Sequence, residues 1–172
     1  HKTPRRQRQM CIRDRLRRFR PNASWDYGFF VGVRGRPSSS SMLGDVVQLA
    51  AADDYMHLAR KVIASLRWVV ETWVEAQFVL KVDEDTWVDP EAVVTWLIQH
   101  PGLQYGGMPH RTSVLRSGKW GVAHEVYGAD EYPVYAKGGG YLLAGHVADA
   151  ILCAIDAERV PVMDNLEDAT IG

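Results

Sequence analysis

The sequence predicts an α/β domain, and three observations support this fold class. Short apolar runs of strand length alternate with longer segments in which apolar residues follow helical spacing. No internal repeat is visible, and 172 residues are enough for one domain with a substantial core. Hydrophobic residues make up 47% and charged residues 24% of the chain, which is ordinary for a folded soluble domain. We therefore expect strands flanked by helices.

The first half of the chain is predicted to hold a strand, a loop and a long helix. Residues 25–33 (WDYGFFVGV) have strand composition, and the Gly-, Pro- and Ser-rich residues 34–41 predict a loop. A helix is expected from Tyr55 to about Glu75, with Asp53 or Asp54 as its cap. Its predicted apolar stripe consists of Leu58, Val62, Leu66, Val69 and Trp73.

The middle of the chain is predicted to form a strand and a second helix. Phe78–Val82 (FVLKV) is a short apolar run of strand length, which is typical of a buried parallel strand. Asp89, followed by Pro90 and Glu91, predicts a capped helix start. This helix should end near His100, and a short strand is expected at 103–106.

The last third combines a long loop with a strand and a helix. Residues 108–135 are predicted as an aromatic-rich loop, too long for a simple connection. Gly138–Gly140 should lead into a strand at Tyr141–Leu143. An amphipathic helix is then predicted from Val147 to Ile155.

The net charge of −1 conceals a strong asymmetry between the two parts of the chain. Residues 1–20 contain nine Lys or Arg and one acidic residue, which leaves the other 152 residues with 11 basic and 20 acidic groups. The acidic body argues against nucleic-acid binding. The basic head could be an arm for nucleic acid or a membrane surface, a solvated tail, or foreign sequence, and 9–15 resembles translated adapter sequence. We predict that residues 1–20 are not part of the fold and that 21–172 form the domain.

Signals for the cellular compartment are weak. The two cysteines, Cys11 and Cys153, provide neither a disulfide framework nor zinc-site spacing. No apolar stretch approaches the ~20 residues of a membrane span, although an upstream anchor could be missing. Asn22-Ala23-Ser24 matches the glycosylation acceptor pattern, which matters only in a luminal or secreted protein.

The strongest chemical signal is the acidic triplet Asp83-Glu84-Asp85 at the end of an apolar strand. In an extended backbone, Asp83 and Asp85 would project to the same side and Glu84 to the other. Two such carboxylates suit a hard divalent cation that also holds a diphosphate, and the carboxyl ends of strands are where α/β sheets bind ligands. The alternative is a solvated acidic turn that precedes the next helix. Glycines and spaced oxygen ligands of an EF-hand loop are absent.

Three further groups of residues could take part in chemistry. Lys81 could contact a phosphate or stabilise the acidic cluster, or could be a simple edge charge. Gly138–Gly140 would let the backbone approach a ligand closely, or form an ordinary turn. Glu167-Asp168 could supply a general base, or surface charge.

Two sets of side chains have no decided role in the sequence. Trp120 and three tyrosines within sixteen residues could stack on sugar rings or form a satellite core. These tyrosines are Tyr127, Tyr132 and Tyr135. The histidines at positions 57, 110, 124 and 146 show no metal-ligand spacing and are interpreted as solvated or structural.

Taken in order, these segments resemble the β-1,3-glycosyltransferases of the galactosyltransferase/fringe superfamily (glycosyltransferase family 31), over roughly residues 29–172. Individually several elements are weak, but their shared order and spacing make the resemblance specific. The matching elements are Gly44-Asp45 with Val46-Val47-Gln48, Asp53-Asp54-Tyr55 with Leu58 and Lys61, Trp68, Phe78 to Asp85, Lys119-Trp120, Tyr132 to Tyr135, Gly138 to Tyr141, and Glu167-Asp168 with Gly172.

The resemblance implies a fold, a donor and a reaction. The fold would be a GT-A-type nucleotide-sugar-binding sandwich, a Rossmann-like mixed sheet flanked by helices, here incomplete at both ends. The donor would be a UDP-sugar held with Mn²⁺. The reaction would be an inverting single displacement at the anomeric carbon, with a metal ion offsetting the charge of the departing UDP.

The resemblance also implies roles for particular residues. Asp83 and Asp85 would hold the metal, and Asp168 would be the general base. The donor site would be formed by Lys81, Asp83, Glu84, Gly138, Gly139 and Gly140. The acceptor site would include Trp120 and Tyr135.

Several positions depart from the family pattern. Glu84 replaces the more common middle aspartate of the triplet, at its least restricted position. Lys137 stands where a small residue often precedes the glycines, and His57-Leu58-Ala59 replaces the usual Asn-Leu-Thr. The family's first strand is not recognisable, and its pattern continues beyond Gly172, so this polypeptide by itself could be inactive.

The resulting hypothesis is a β-1,3-galactosyltransferase that uses UDP-galactose and a glycan or glycoprotein acceptor, with no nucleic-acid partner. A membrane-anchored protein of the Golgi lumen is implied by the resemblance, with an anchor that is not seen in this chain. Two alternatives stay open: a β-1,3-N-acetylglucosaminyltransferase on the same scaffold, and a non-catalytic glycan-binding pseudo-enzyme.

Overall fold

A computed structural model of the protein describes residues 24–32, 39–52 and 54–172. The basic head, the Asn22 acceptor pattern, most of the predicted loop at 34–41 and the candidate cap Asp53 lie outside these ranges. The expectations for them stay predictions.

The first sheet contains three short strands near the start of the described chain. These are β1 (Phe29–Gly32), β2 (Ser41–Leu43) and β3 (Val46–Leu49), in the spatial order β1-β3-β2. β1 pairs with β3 in parallel, and β2 pairs with β3 as an antiparallel hairpin. The strand predicted at 25–33 is confirmed only in part, because β1 begins at Phe29.

The β2–β3 hairpin was not predicted, although the sequence carries a signal for it. Its two-residue turn is Gly44-Asp45, and Gly44 has φ +62°. Glycine adopts this left-handed conformation without steric cost, and Gly-Asp between two short apolar runs is a hairpin signal.

The long predicted helix is confirmed with slightly narrower bounds. A 3₁₀ turn at Tyr55–His57 leads into α1 (Leu58–Thr72). The Asp54 side chain caps the turn by accepting a hydrogen bond from the His57 backbone N–H at 3.0 Å. The buried residues of α1 are Ala59, Val62, Leu66 and Val69, so most of the predicted stripe does face the core.

The second sheet is antiparallel throughout, which corrects one prediction. It contains β4 (Phe78–Val82), β5 (Tyr105–His110) and β6 (Tyr135–Ala144), in the order β4-β6-β5. A buried parallel strand was expected at Phe78–Val82, but β4 is half-buried and pairs antiparallel with β6. Its apolar run reflects two partly covered faces, and such a run does not specify the direction of the partner strand.

Helix α2 (Pro90–Gln99) follows the predicted boundaries and yet contributes no buried residue. Asp89 caps it by accepting from the Ala92 N–H at 3.2 Å, and Pro90 occupies the first turn. Its apolar side chains are largely exposed: Ile98 keeps 75% of its surface accessible.

Strand β6 is longer than predicted and includes the glycines that were expected to precede it. Gly138–Gly140 lie within the central strand of the second sheet, and the Gly140 register position pairs with Val82. The two helices after β6 are α3 (Gly145–Asp156), which confirms the predicted helix, and the short α4 (Glu167–Ile171), which was not predicted.

Two clusters of buried side chains hold these elements together. The larger one joins α1, β6, α3 and α4 through Val62, Leu66, Ala136, Tyr141, Leu143, Ala148, Leu152 and Ile171. The smaller one joins the 111–134 connection to β6 and α4 through Val114, Val122, Tyr132, Tyr135, Met163 and Ala169. Since both clusters include residues of β6 and α4, these two elements are fixed relative to each other.

The predicted α/β class is therefore confirmed, with two small sheets and their helices in place of one larger sheet. The finer GT-A architecture stays a prediction. No helix in the described part of the chain has the length and apolar character needed to cross a membrane.

Candidate functional site

The acidic triplet forms a turn at the end of β4. The Thr86 N–H donates to the Asp83 carbonyl at 3.0 Å, which closes a four-residue β-turn over Asp83–Thr86. The extended backbone assumed in the sequence argument was therefore wrong. Strand alternation no longer determines where Asp83 and Asp85 point, because the turn sets their directions.

Strand β6 holds this turn through the carbonyl oxygen of Gly139. That oxygen accepts from the Asp83 N–H at 3.3 Å and from the Thr86 hydroxyl at 2.9 Å. The triplet is thus attached to the glycine segment by two hydrogen bonds, although 53 residues separate Thr86 from Gly139.

The three glycines have different surroundings. A Cβ at Gly138 would lie 2.6 Å from Glu167 Oε1, and a Cβ at Gly140 would contact a Val82 methyl at 3.4 Å. Nothing lies within 4 Å of a Cβ placed at Gly139. Gly138 is therefore required for close approach of a protein carboxylate, a reason that the sequence did not suggest.

Lys81 lies at the centre of the site. Its ammonium donates to Asp83 Oδ1 at 2.8 Å, to Glu167 Oε1 at 2.6 Å and to the Gly138 carbonyl at 2.5 Å. It also lies 5.5 Å from the centre of the Tyr141 ring. The side chain is 15% exposed, so this charge is largely removed from water.

Glu167 is the most deeply buried acidic group of the site, with 5% of its side chain exposed. One carboxylate oxygen accepts from Lys81, and the other accepts from the Tyr141 hydroxyl at 3.0 Å. We call Lys81, Asp83, Gly138, Tyr141 and Glu167 the Lys81 network.

Burial and charge act in opposite directions on the pKa values of this pair. Burial by itself would lower the pKa of Lys81, but the charges and hydrogen bonds of Glu167 and Asp83 outweigh it and raise that pKa. Burial raises the pKa of Glu167, and Lys81 and Tyr141 offset only part of this effect. The raised pKa of Lys81 indicates a favourable pair, whereas that of Glu167 shows what burial costs the carboxylate. The contacts favour the ion pair, because two carboxylates accept hydrogen bonds directly from the Lys81 ammonium.

Asp168 lies beside the network but is held by the backbone. Its Oδ2 accepts from the Gly138 N–H at 3.1 Å, and its Oδ1 accepts from the Ala169 N–H at 3.0 Å. Gly138 thus donates to Asp168 through its N–H and accepts from Lys81 through its carbonyl. One residue of β6 connects the two acidic segments, Asp83–Asp85 and Glu167–Asp168.

The aromatic residues fall into two groups. Tyr135 and Tyr132 are buried in the smaller core cluster, with ring centres 6.1 Å apart and an edge-to-face arrangement. Burial and the Asp168 charge raise the pKa of Tyr135 to about 12. The Tyr132 hydroxyl is buried with no hydrogen-bond partner among the described residues. Trp120, in contrast, is 40% exposed and carries the Lys119 ammonium 4.6 Å from its ring centre.

Arg116 organises the connection that carries Trp120. Its guanidinium donates to the carbonyl oxygens of Val122, Tyr127 and Ala129 at 3.3, 2.7 and 2.6 Å. Sequence reasoning did not single out Arg116, and nothing local in the sequence indicates these contacts. The predicted loop is therefore an ordered segment, fixed through side chain to backbone hydrogen bonds.

An open cleft of about 1910 Å³ passes along this site. The triplet turn, the glycine segment, Glu167-Asp168, Trp120 and Tyr135 all contribute to its lining. Of the predicted site residues, only Gly140 and Asp85 are not among the lining residues. The fold thus brings together residues that lie up to 87 positions apart in the sequence.

The histidines are distributed over separate places. His57 Nδ1 lies 2.7 Å from Asp54 Oδ1 in the turn before α1, and the His110 ring packs edge-to-face on Tyr135. Within the described ranges, no group of three or more His, Cys, Asp or Glu side chains is arranged to hold a metal ion.

Comparison of the sequence with known proteins places the chain in a family. Residues 37–172 match the family described as Galactosyltransferase. The chain is 35% identical over 137 residues to human acetylgalactosaminyl-O-glycosyl-glycoprotein beta-1,3-N-acetylglucosaminyltransferase, covering 75% of this chain and 34% of that protein. It is 28% identical over 154 residues to hydroxyproline O-galactosyltransferase GALT6 of Arabidopsis thaliana, covering 84% and 22%. Human beta-1,3-galactosyltransferase 2 is 27% identical over 139 residues, covering 74% and 31%.

The chain therefore belongs to the galactosyltransferase family, as the sequence resemblance predicted. It spans only about a fifth to a third of the length of these relatives.

Proposed function

We propose that the full-length protein from which this galactosyltransferase-family chain comes is an inverting, metal-dependent hexosyltransferase. It would transfer galactose from UDP-galactose in β-1,3 linkage to a glycan or glycoprotein acceptor. The observation that carries this proposal is the convergence of three segments on one cleft: the triplet turn through Asp83 and Glu84, the glycine segment through Gly138 and Gly139, and the start of α4 through Asp168.

The two acidic segments differ in a way that suits two chemical tasks. The Asp83 side chain is 50% exposed, and its turn borders the cleft. Glu167 is buried with both oxygens already accepting hydrogen bonds, whereas Asp168 is held by backbone N–H groups alone. Asp168 is therefore the better candidate for the general base, because it is only partly buried and its hydrogen bonds come from backbone N–H groups rather than from a charged side chain.

The triplet turn fits a divalent cation of the kind that is completed by substrate. Asp83 and Asp85 supply hard carboxylate oxygens, and a site of one or two carboxylates usually takes its remaining ligands from substrate phosphates and water. Bound there, Mn²⁺ would act as a Lewis acid that offsets charge on the departing UDP. This chain would hold the cation through Asp83 and Asp85, and the glycine segment would flank the donor.

The acceptor side is proposed at the aromatic edge of the cleft. Trp120 is exposed enough to offer a ring face to a sugar. Tyr135 is buried beside Asp168, where its ring supports the base more readily than it stacks on a ligand. A direct acceptor contact by Tyr135 stays a prediction.

A second candidate, β-1,3-N-acetylglucosaminyl transfer, has a specific observation in its favour. At 35% identity, the human relative named for that transfer is more similar over its aligned region than the galactosyltransferases cited above. The same site geometry would serve either donor. A luminal Golgi location with an upstream anchor is also part of the proposal and rests on the family alone.

One assay tests these proposals. The full-length protein would be incubated with Mn²⁺, a panel of UDP-sugars and candidate acceptors, and UDP release would be measured. We expect release with UDP-galactose and its loss after Asp85→Ala or Asp168→Asn, with Asp149→Asn on the exposed face of α3 as the matched control. Release with UDP-N-acetylglucosamine alone would establish the second candidate.

Two outcomes would contradict the mechanism. Sugar binding without UDP release from any donor would indicate a pseudo-enzyme. Equal release after Asp85→Ala would exclude the metal role of the triplet. Asp168→Asn should leave UDP-sugar binding nearly unchanged, and a loss of binding would assign Asp168 a structural role instead.

A further inference from the structure

The Lys81 network contains two charged side chains for which the proposed reaction has no direct use. Lys81 and Glu167 form an ion pair at 2.6 Å, with 15% and 5% of their side chains exposed. A buried pair of this kind is costly to desolvate and is weak evidence for stability alone. Its position between the two acidic segments indicates another role.

The ammonium of Lys81 has no donor left for a substrate. An ammonium group carries three N–H donors, and Asp83, Glu167 and the Gly138 carbonyl accept one hydrogen bond each. A phosphate could be bound only by displacing one of these partners. The geometry therefore argues against Lys81 as a direct donor contact.

Both carboxylate oxygens of Glu167 are also engaged with neighbouring side chains. Its two carboxylate oxygens accept from Lys81 and from the Tyr141 hydroxyl, and its side chain is almost fully enclosed. The absence of a Cβ at Gly138 makes this enclosure possible, because any Cβ there would lie 2.6 Å from Glu167 Oε1. A proton taken up by Glu167 would cancel the negative charge that pairs with Lys81.

From these contacts we propose that Lys81 and Glu167 are a pair of positioning residues. Lys81 ties the Asp83 carboxylate at the end of β4 to Glu167 at the start of α4. The same ammonium holds the carbonyl of Gly138, whose N–H orients Asp168. The pair thus fixes the position of the Asp83–Asp85 turn, which would bind the metal and the leaving group, relative to Asp168, which would accept the proton.

This proposal deepens the proposed function and rests on it. Removing a residue that hydrogen-bonds to a metal ligand without binding the metal itself typically lowers metal affinity or activity by about 10- to 100-fold. Glu167 lies 84 positions from Asp83 in the sequence, and within the described ranges the Lys81 ammonium connects the two carboxylates. An effect of Glu167 on metal binding would therefore report transmission through Lys81.

The test uses the full-length protein and the variants Glu167→Gln, Lys81→Met, Lys81→Arg and the double variant Lys81→Met/Glu167→Gln. The first measurement is the Mn²⁺ affinity in the presence of UDP, determined from the electron paramagnetic resonance signal of free Mn²⁺. The second is kcat and donor KM from UDP release. Arg67→Met is the matched control, since Arg67 on α1 forms a more exposed ion pair with Asp156 at the end of α3.

We expect Glu167→Gln and Lys81→Met each to weaken Mn²⁺ binding by about 10-fold or more and to lower kcat with little change in donor KM. The double variant should be no worse than Lys81→Met, because both substitutions break one connection. Lys81→Arg should recover part of the loss. Near-ultraviolet circular dichroism would show whether each variant keeps its tertiary structure, and Glu167→Gln carries the test if Lys81→Met does not fold.

Three results would overturn the proposal. Glu167→Gln with wild-type Mn²⁺ affinity and kcat would show that nothing is transmitted from α4. A tenfold loss of UDP affinity in Lys81→Met alone, additive with Glu167→Gln, would make Lys81 a direct phosphate ligand. If the wild-type protein binds no Mn²⁺ in the presence of UDP, both the proposed metal site and the proposed role of the pair are wrong.

Failure of the transferase function alone would give a different result. The wild type would bind Mn²⁺ with UDP but release no UDP from any donor, and the Mn²⁺ affinities of the variants would still decide the role of the pair.

Discussion

The two acidic segments of the site have the same kind of charge and opposite environments. The Asp83–Asp85 turn lies at the exposed end of β4 and is fastened to β6 through one backbone carbonyl. Glu167, at the start of α4, is almost completely enclosed and is neutralised by Lys81. A half-exposed carboxylate keeps its hydration and is available to a cation, whereas a buried one is stable only with its partner.

This contrast separates carboxylates that act on ligands from a carboxylate that holds the site together. Sequence alone presents Asp83-Glu84-Asp85 and Glu167-Asp168 as two similar acidic segments. In the fold, burial divides them differently: Glu167 is enclosed and paired with Lys81, whereas its neighbour Asp168 is only partly buried, and both border the cleft. The following predictions test this division through stability, measured on the full-length protein.

The largest effect is expected for Lys81→Met, because it leaves Glu167 buried without its counter-charge. Breaking a buried ion pair by removing one partner typically costs about 3–5 kcal/mol. The exposed pair Arg67–Asp156 is the matched comparison, and Arg67→Met should cost no more than about 1 kcal/mol. Urea unfolding monitored by tryptophan fluorescence would measure both, and equal costs would contradict the contrast.

The cost of Lys81→Met should also depend on pH. Burial raises the folded-state pKa of Glu167, and without Lys81 nothing of comparable size lowers it. An acid with a raised folded pKa is most stabilising below its unfolded pKa, and this stability is lost as pH rises through the folded value. The variant should therefore be closer to wild type at pH 5 than at pH 8. A pH-independent difference would show that Glu167 is not the group left uncompensated.

A smaller effect is expected for Gly138→Ala. The added Cβ would lie 2.6 Å from Glu167 Oε1, and such overpacking typically costs about 1–3 kcal/mol. Gly139→Ala is the internal control, since nothing lies within 4 Å of its Cβ and its φ is not positive. We expect that variant to stay within about 0.5 kcal/mol of wild type. If both alanines destabilise equally, the glycines serve the strand and not the approach of Glu167.

A smaller effect is expected for Tyr135, a buried side chain close to Asp168. Its folded pKa of about 12 lies above the model-peptide value of 10.0, because of burial first and the Asp168 charge second. The stability that it contributes is complete below pH 10 and is lost as pH rises toward 12. Thermal unfolding between pH 9 and 12 should therefore fall less steeply in Tyr135→Phe than in wild type. Identical slopes would show that Tyr135 does not titrate in a buried place.

The smallest change is expected for Asp85→Asn, on the partly exposed turn after β4. No hydrogen bond or ion pair of the Asp85 side chain is found among the described residues, and surface substitutions of this kind usually stay within about 0.5 kcal/mol. Thermal unfolding without metal should match wild type. A loss comparable to that of Lys81→Met would mean that both acidic segments are structural.

Local patterns predicted the helices and several strands well. Asp54 and the Asp89-Pro90 pair mark helix starts in the sequence, and both caps are present. The spacing of Val62, Leu66 and Val69 predicted the buried face of α1. These signals succeed because a cap or a stripe depends on residues a few positions apart.

The same kind of pattern did not decide how each element is covered. Helix α2 is as apolar in sequence as a core helix, yet it buries no residue among the described parts of the chain. The apolar run of β4 predicted a parallel partner, but β6 pairs with it in the opposite direction. Burial and strand direction depend on partners far away in the sequence, which local hydrophobicity does not specify.

By itself, the sequence determined the α/β class, the family and the set of polar residues to consider. Only the tertiary structure decided which of those residues are buried in an ion pair and which are available to a ligand. Lys81 and Glu167 are separated by 86 positions and meet at 2.6 Å, because β6 lies between β4 and α4 and Gly138 leaves room for a carboxylate. The physical reason is that a charge acquires its role from its burial and its partner, and both are properties of the packed chain.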